Sequence, residues 1–242
     1  LGNTLAAIDL WQIEQKDALL ALPHVAAESV DLIVTDPPYA SLNKWRSIGT
    51  TTRLGGHRDV ESRDDSKWFA EVPNEALPSL LGEFHRILRP DRHCYLMCDW
   101  ETFEYLCRVE AFAAWDYHKP LVWDKILIGM GYHYRASYEF VVLLEKGKRR
   151  LHDLGIRDVL PVRNVPHGKK GRRPAEKPIE LMELLIQQSS AVGELVFDPF
   201  VGSGTTVAAA VKHGRNGIGW DLNDEQCAYA NSRLAEISGN LP

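Results

Sequence analysis

No stretch of about 18 consecutive apolar residues occurs in this chain, and no basic segment followed by an apolar one opens it. Neither a membrane-spanning helix nor a secretory leader is expected, and the chain reads as a soluble, cytoplasmic protein with no membrane partner. Cysteine is scarce: Cys94, Cys98, Cys107 and Cys227 are the only four, and no two stand in a Cys-x-x-Cys pair. That excludes a disulfide framework and a zinc-finger scaffold and fits a reducing compartment. His85, His93, His118 and His133 fall in separate segments, none with a second ligand at i, i+4 spacing, so no metal site is expected. Internal repeats and low-complexity tracts are also missing. The chain begins at Leu1 rather than methionine, which reads as a trimmed piece of a longer protein.

What is present is enough for one sizeable core. With 242 residues, 45% of them hydrophobic, a single domain over 1–242 is the simplest organisation. Short apolar, β-branched runs alternate with segments of helical spacing, which predicts an α/β fold: a mostly parallel sheet with helices on both faces. Seven strands are expected, at Asp9 to Gln15, Val30 to Thr35, His93 to Cys98, Leu121 to Ile126, Tyr138 to Glu145, Leu195 to Phe197 and Gly217 to Trp220. Apolar spacing and caps predict helices at Glu75 to Leu88, Thr102 to Ala114, Pro178 to Ser190, Thr205 to His213 and Asp224 to Ile237. Pro178 suits a first helical turn. Cys94 and Cys98 flank a buried strand and read as core, and Trp100, Trp115 and Trp123 read as packing residues.

Two stretches resist regular structure. Ala40 to Ser66 is polar and rich in Gly, Thr and Arg, and Lys148 to Pro174 is basic and broken by Pro and Gly. Loops this long inside a compact domain are functional or disordered. The net charge of -5 argues against a general polyanion binder, yet residues 146–177 carry eleven basic side chains against three acidic ones. A basic segment on an acidic body reads as a footprint for phosphates.

Two motifs carry chemistry. The apolar run Val30 to Thr35 leads into Asp36-Pro37-Pro38-Tyr39, at the strand end where open α/β sheets bind ligands. Two prolines remove two backbone N–H donors, leaving carbonyls that accept without competition. Such a loop suits an amine: Asp36 and the Pro37 carbonyl accept the two protons of an exocyclic NH2 and free its lone pair, while Tyr39 offers a face for a flipped base. The second motif is Val196-Phe197-Asp198-Pro199-Phe200-Val201-Gly202-Ser203-Gly204-Thr205-Thr206, a strand entering a Gly-x-Gly turn that opens a helix. Small residues there let a ligand approach the backbone. The spacing differs from the dinucleotide fingerprint and the turn lacks a P-loop lysine, but Asp221 follows about 20 residues on, where an acid accepts ribose hydroxyls. A nucleoside cofactor without a diphosphate fits this pair.

Together these segments resemble the amino-group DNA methyltransferases, the N6-adenine and N4-cytosine enzymes that use S-adenosyl-L-methionine. Asp36-Pro37-Pro38-Tyr39 resembles their catalytic motif and Asp198-Pro199-Phe200-Val201-Gly202-Ser203-Gly204 their cofactor motif. Lys16-Asp17-Ala18-Leu19, Glu83 to Pro90, Glu176-Lys177-Pro178 and Ile218-Gly219-Trp220-Asp221 are similar to further family segments, so the likeness covers most of the chain outside the two long loops. The catalytic motif precedes the cofactor motif, which resembles the β-ordered subgroup with its circularly permuted order. The family often has a histidine ahead of the Lys-Pro stretch, where this chain has Arg173-Pro174-Ala175, and Asp221 stands where Glu is commoner.

The resemblance implies a Rossmann-like methyltransferase fold with S-adenosyl-L-methionine held by Asp17, Ala18, Asp36, Lys177, Asp198, Pro199, Phe200, Gly202, Ser203, Gly204, Thr205 and Asp221, and chemistry at Asp36, Pro37, Pro38 and Tyr39. It implies duplex DNA as substrate, contacted by Lys44, Arg46, Arg53 and Arg58 in a mobile loop over 40–66. A short target-recognition insertion over 146–175 would add Arg149, Arg150, Arg163, Lys169, Lys170 and Arg172. A homodimer and a cognate restriction endonuclease are the further partners implied, with a bacterial, archaeal or phage origin. An Asp-led tetrapeptide is more typical of adenine enzymes and a Ser-led one of cytosine-N4 enzymes, so adenine N6 is expected and cytosine N4 is the alternative. RNA or protein amide methylation, for which an Asn-led tetrapeptide is usual, and a non-catalytic binding module are the remaining readings.

Overall fold

The computed structural model describes residues 10–38, 72–129, 133–164 and 176–239. Within them the strands are β1 (Trp11–Gln15), β2 (Val30–Thr35), β3 (Leu88–Cys98), β4 (Tyr117–Asp124), β5 (Tyr138–Lys146), β6 (Val159–Pro161), β7 (Leu195–Asp198) and β8 (Asn216–Asp221). The helices are α1 (Ala18–Ala21), α2 (Leu77–Ile87), α3 (Trp100–Arg108), α4 (Ile179–Ser189), α5 (Thr205–Lys212) and α6 (Asp224–Ser238).

All eight strands form one sheet in the order β1-β8-β7-β2-β3-β5-β4-β6. The pairs β1/β8, β8/β7, β7/β2, β2/β3 and β4/β6 are parallel, and β5 runs antiparallel to both β3 and β4. The carboxyl ends of β1, β8, β7 and β2 therefore lie side by side on one rim. Whatever the sequence places just after those four strands is gathered there.

The burial pattern shows why these residues make this sheet. Every residue of β2 is buried. Leu32 and Val34 pack with Val196, Leu181, Leu185 and Ile186 on one face, whereas Ile33 packs with Phe197, Phe84 and Leu81 on the other. A strand covered on both faces by helices has no need of a polar side, which accounts for the unbroken apolar run. Gly219 lets β8 sit close to its neighbours: a Cβ there would stand 2.5 Å from Val201 Cγ2 and 2.8 Å from Ile13 Cδ1.

Several elements depart from the sequence expectation. The described residues hold eight strands rather than seven, because Val159–Pro161, inside a stretch expected to be loop, pairs in parallel with β4. Pro161 fits because β6 is an edge strand. β4 starts at Tyr117 and stops at Asp124, four residues earlier than expected at its start; Ile126, with φ 58, bends the chain out of the ladder. β3 begins at Leu88, directly at the end of α2, and Leu88 pairs with Val30 across a bulge. The helix expected from Thr102 to Ala114 runs from Trp100 to Arg108. Asp99 caps it by accepting from the Thr102 N–H at 2.8 Å, and Glu110, at φ 54, lies beyond its end. Cys94, Cys98, Trp115 and Trp123 are buried as expected, but Trp100 is 57% exposed and is not a core residue. No helix among the described residues is long and apolar enough to cross a membrane.

Candidate active site

At the end of β2, Asp36 leaves the sheet followed by Pro37 and Pro38, while Tyr39 lies outside the described residues. The Pro38 carbonyl accepts from the Val72 N–H at 2.9 Å, which seals the base of the loop where the described chain resumes. The strand is also tied sideways to the cofactor motif: the Thr35 hydroxyl donates to Asp198 Oδ1 at 2.7 Å, inside the core. Phe200 N–H donates to the same oxygen at 3.0 Å, shaping the Asp198-Pro199-Phe200 turn. Burial pushes the Asp198 carboxyl up to about 6, even though Thr206, Thr35 and the Phe200 N–H favour its charged form and Asp36 adds like-charge repulsion.

The Gly-x-Gly turn opens α5. Gly204 has φ 79, and a Cβ on it would meet Ala230 Cβ at 3.0 Å, so glycine is required there both by backbone and by space. Gly202 has φ 48 and nothing within 4 Å of where its Cβ would be, so the turn keeps open space in front of its backbone. Arg233 on α6 grips the turn by donating to the Ser203 carbonyl at 3.1 Å and to Thr205 Oγ1 at 3.0 Å. The same guanidinium pairs with the buried Glu176 at 3.1 Å.

Asp221, at the end of β8, accepts from Gly202 N–H at 3.1 Å through Oδ2 and from Asn223 N–H at 2.8 Å through Oδ1. Its carboxyl is raised by burial against those backbone donors. One strand further, Asp17 caps α1 by accepting from Leu19 N–H at 2.9 Å, with Ala18 buried behind it. The open turn, the adjacent carboxylate of Asp221 and the rim position of Asp17 form a cradle that fits a nucleoside: hydroxyls meet a carboxylate, and the approach to the backbone is unobstructed.

Lys177 occupies an unexpected place. Its segment suggests a cofactor contact, but its ammonium forms an ion pair with Asp36 Oδ2 and stands 3.8 Å from Glu139 Oε2. Glu139 in turn binds Lys125 Nζ at 2.6 Å. Burial pulls Lys177 towards its neutral form, but the carboxylates of Asp36 and Glu139 outweigh it and hold the ammonium charged. Asp36 is raised by its own burial; Lys177 opposes that and Glu139 adds to it. The other carboxylate oxygen, Asp36 Oδ1, is buried with no hydrogen-bond partner among the described residues. A buried acceptor without a donor is costly in a resting protein and is expected where a ligand supplies the donor.

Sequence reading missed Glu139, Lys125, Thr35 and Arg233. An acidic residue inside the apolar run Tyr138 to Leu144 was the available signal for Glu139; nothing marked the others, since their roles depend on partners remote in sequence. Of the expected DNA contacts, Arg163 is exposed just after β6, where Asn164 N–H donates to the Lys125 carbonyl at 2.9 Å on the active-site rim. Arg149 and Arg150 follow β5, and because β5 is antiparallel they sit at the opposite rim. Arg149 there donates to both oxygens of Glu194, at 3.2 and 2.8 Å. Lys44, Arg46, Arg53, Arg58, Lys169, Lys170 and Arg172 lie outside the described residues.

A family model described as DNA methylase, of the N6 and N4 methyltransferase type, matches residues 30–232, from the catalytic strand through most of α6. The chain belongs to the DNA methylase family. Among its relatives, this methylase is similar to the type II methyltransferase M.HpaI of Haemophilus parainfluenzae, at 27% identity over 92% of this chain and 74% of that protein. It is also similar to the DNA adenine methyltransferase YhdJ of Escherichia coli K12, at 27% identity over 90% of this chain and 80% of that one. Among solved structures, the cytosine-N4-specific PvuII DNA methyltransferase aligns with a TM-score of 0.65 at 16% identity, covering 96% of this chain and 92% of that one. The M1.HpyAVI complex with SAM aligns with a TM-score of 0.62 at 20% identity, covering 93% and 100% of the two chains. These two likenesses bear on the fold, which this methylase shares with them.

Proposed function

We propose that this chain transfers a methyl group from S-adenosyl-L-methionine to the exocyclic amine of adenine N6 in duplex DNA, the target base being flipped out of the helix. The observation that carries this reading is Asp36 itself: one carboxylate oxygen is anchored by Lys177, and the other is a buried acceptor without a donor among the described residues, beside a nucleoside-fitting cradle. A base amine is the donor such an acceptor calls for.

S-adenosyl-L-methionine, when bound, supplies a methyl group activated by its sulfonium. Asp221 and Asp17 would hold its polar nucleoside groups, and the turn from Asp198 to Thr205 would admit it against backbone. The chain's own contribution to the chemistry lies at Asp36 and the Pro37 carbonyl. By accepting hydrogen bonds from the two amine N–H groups, they turn the nitrogen lone pair out of conjugation and favour the positive charge that grows on nitrogen. The Pro38 carbonyl is already engaged by Val72, which leaves Pro37 as the loop carbonyl suited to this role. Tyr39 would stack on the flipped base. The Asp-led tetrapeptide supports adenine over cytosine. Arg163 on the active-site rim, with the basic residues in 40–66 and 165–175, would meet the DNA phosphates.

Incubation with labelled S-adenosyl-L-methionine and unmethylated duplex DNA, followed by digestion to nucleosides, is expected to yield N6-methyladenine. Label in N4-methylcytosine would transfer the same chemistry to the other base, and label only in RNA or protein would overturn the reading. In the same assay Asp36→Ala is expected to lose about 100- to 1,000-fold in turnover, as when a group that stabilises transition-state charge is removed, while still binding cofactor.

A further inference from the structure

Residues 176–178 join the two halves of the site. Glu176 reaches Arg233, which grips the cofactor turn, and the next residue, Lys177, reaches Asp36 in the catalytic loop. Pro178 then caps α4 and fixes where the helix begins. Lys177 is 14% exposed in its side chain, held from one side by Asp36 and from the other by Glu139 of β5, whose second cation is Lys125 just past β4. The four side chains alternate in sign, Asp36, Lys177, Glu139, Lys125, and run from the end of β2 across to the end of β4, next to the edge strand β6.

Resting on the proposed amine chemistry, we propose that Lys177 is a positioning residue for that reaction: clamped between Asp36 and Glu139, it keeps the Asp36 carboxylate ionised and its Oδ2 occupied, so that Oδ1 alone is left to take the amine proton. The argument is electrostatic and geometric. A buried carboxylate beside a second carboxylate is driven towards its neutral acid, which gains a donor, accepts more weakly and no longer offsets positive charge growing on the amine. A single ammonium between the two opposes that tendency and at the same time occupies the oxygen that would otherwise accept from the wrong direction. Lys125, by binding Glu139, keeps that carboxylate from drawing Lys177 away.

Among the described residues, the titratable groups facing Asp36 are Lys177 ahead of α4, Glu139 on β5, Lys125 beyond β4, Asp198 on β7 and the Cys98 thiol on β3. Cys98 is raised far above its ordinary value by burial and stays neutral, so the charges that matter are the two lysines and the two other acids. Their signs make a two-way test. In the full chain, with carboxyl carbons followed by NMR, Lys177→Gln is expected to move the Asp36 titration upward by about 1–3 pH units, the effect of an opposite charge at this range. Glu139→Gln is expected to move it downward, because a like charge is removed, and Lys177→Arg to keep it near its wild-type position.

With duplex DNA and labelled S-adenosyl-L-methionine, Lys177→Gln is expected to lower kcat at neutral pH by about tenfold or more and to regain part of it as pH rises, with cofactor affinity preserved. Lost cofactor affinity with an unmoved Asp36 titration would overturn the proposal and make Lys177 a cofactor ligand. Shifts of the same sign in Lys177→Gln and Glu139→Gln would overturn it as well. If Lys177→Gln fails to fold, the downward shift in Glu139→Gln and the retained position in Lys177→Arg still decide. A wild-type chain that methylates no DNA would sink the proposed function alone, since the opposed titration shifts are read without turnover.

Discussion

Asp198 shows how a buried acid at a strand end can cost its protein stability. The native state holds its proton up to about pH 6, whereas an unfolded chain releases it near 3.8. Between those values the native state binds the extra proton, so stability falls as pH rises through that window, by an amount on the order of 3 kcal/mol. Asp198→Asn keeps an oxygen for the Thr35 hydroxyl and the Phe200 N–H and removes the buried charge. Its melting temperature relative to wild type is expected to rise from about pH 4 to about pH 6 and then level off; a difference that does not vary with pH, read by thermal scans in matched buffers, would show that burial of this charge is not the cause. Asp36, Asp198 and Asp221 were each recognisable as strand-end acids. Their environments were not, because burial and neighbouring charge depend on residues such as Lys177, 141 positions away from Asp36.

At the scale of elements, the Gly-x-Gly turn is held from outside as much as from within. Gly202 and Gly204 supply the backbone conformation, but Arg233 on α6 supplies the grip, with Glu176 behind it. Arg233→Ala removes the guanidinium that faces a carboxylate only 5% exposed. Breaking a fully buried pair costs about 3–5 kcal/mol; Arg233 is partly exposed, so about 1–3 kcal/mol is expected here. Cofactor affinity is expected to weaken with it while DNA affinity is retained. Urea unfolding and equilibrium dialysis check the two halves, and a stable variant with unchanged cofactor binding would show that the glycines suffice. The strand misreadings belong to this scale too. Apolar runs located the centres of β3, β4 and β5, but their ends are set by pairing: Leu88 is drawn into β3 by Val30, and Tyr117 into β4 by Glu145.

For the whole molecule, the sheet acts as a sorting device. Parallel strands bring the segments after β1, β8, β7 and β2 to one rim, and β5, the one antiparallel strand among the described residues, sends Arg149 and Arg150 to the other. A basic segment that looks continuous in sequence is therefore divided. Neutralising Arg163, on the active-site rim, is expected to weaken duplex binding and to reduce the slope of log affinity against log salt by about one. Neutralising Arg150 is expected to leave both unchanged. Equal effects from the two variants, measured by salt titration of DNA binding, would mean that DNA spans both rims.

The α/β class, the strand carrying Asp36 and the turn carrying Gly202 and Gly204 were determined by the sequence alone, because they rest on local rules: unbroken apolar runs where a strand is covered on both faces, and glycine where φ is positive. The family followed from the same segments and their order. Only the tertiary structure decided that Lys177 pairs with Asp36, that Glu139 stands behind it, that Arg149 pairs with Glu194, and that an eighth strand among the described residues lies at the edge. Each of these is a meeting of side chains or backbones far apart in the chain, brought together by strand order and direction, which no local pattern encodes.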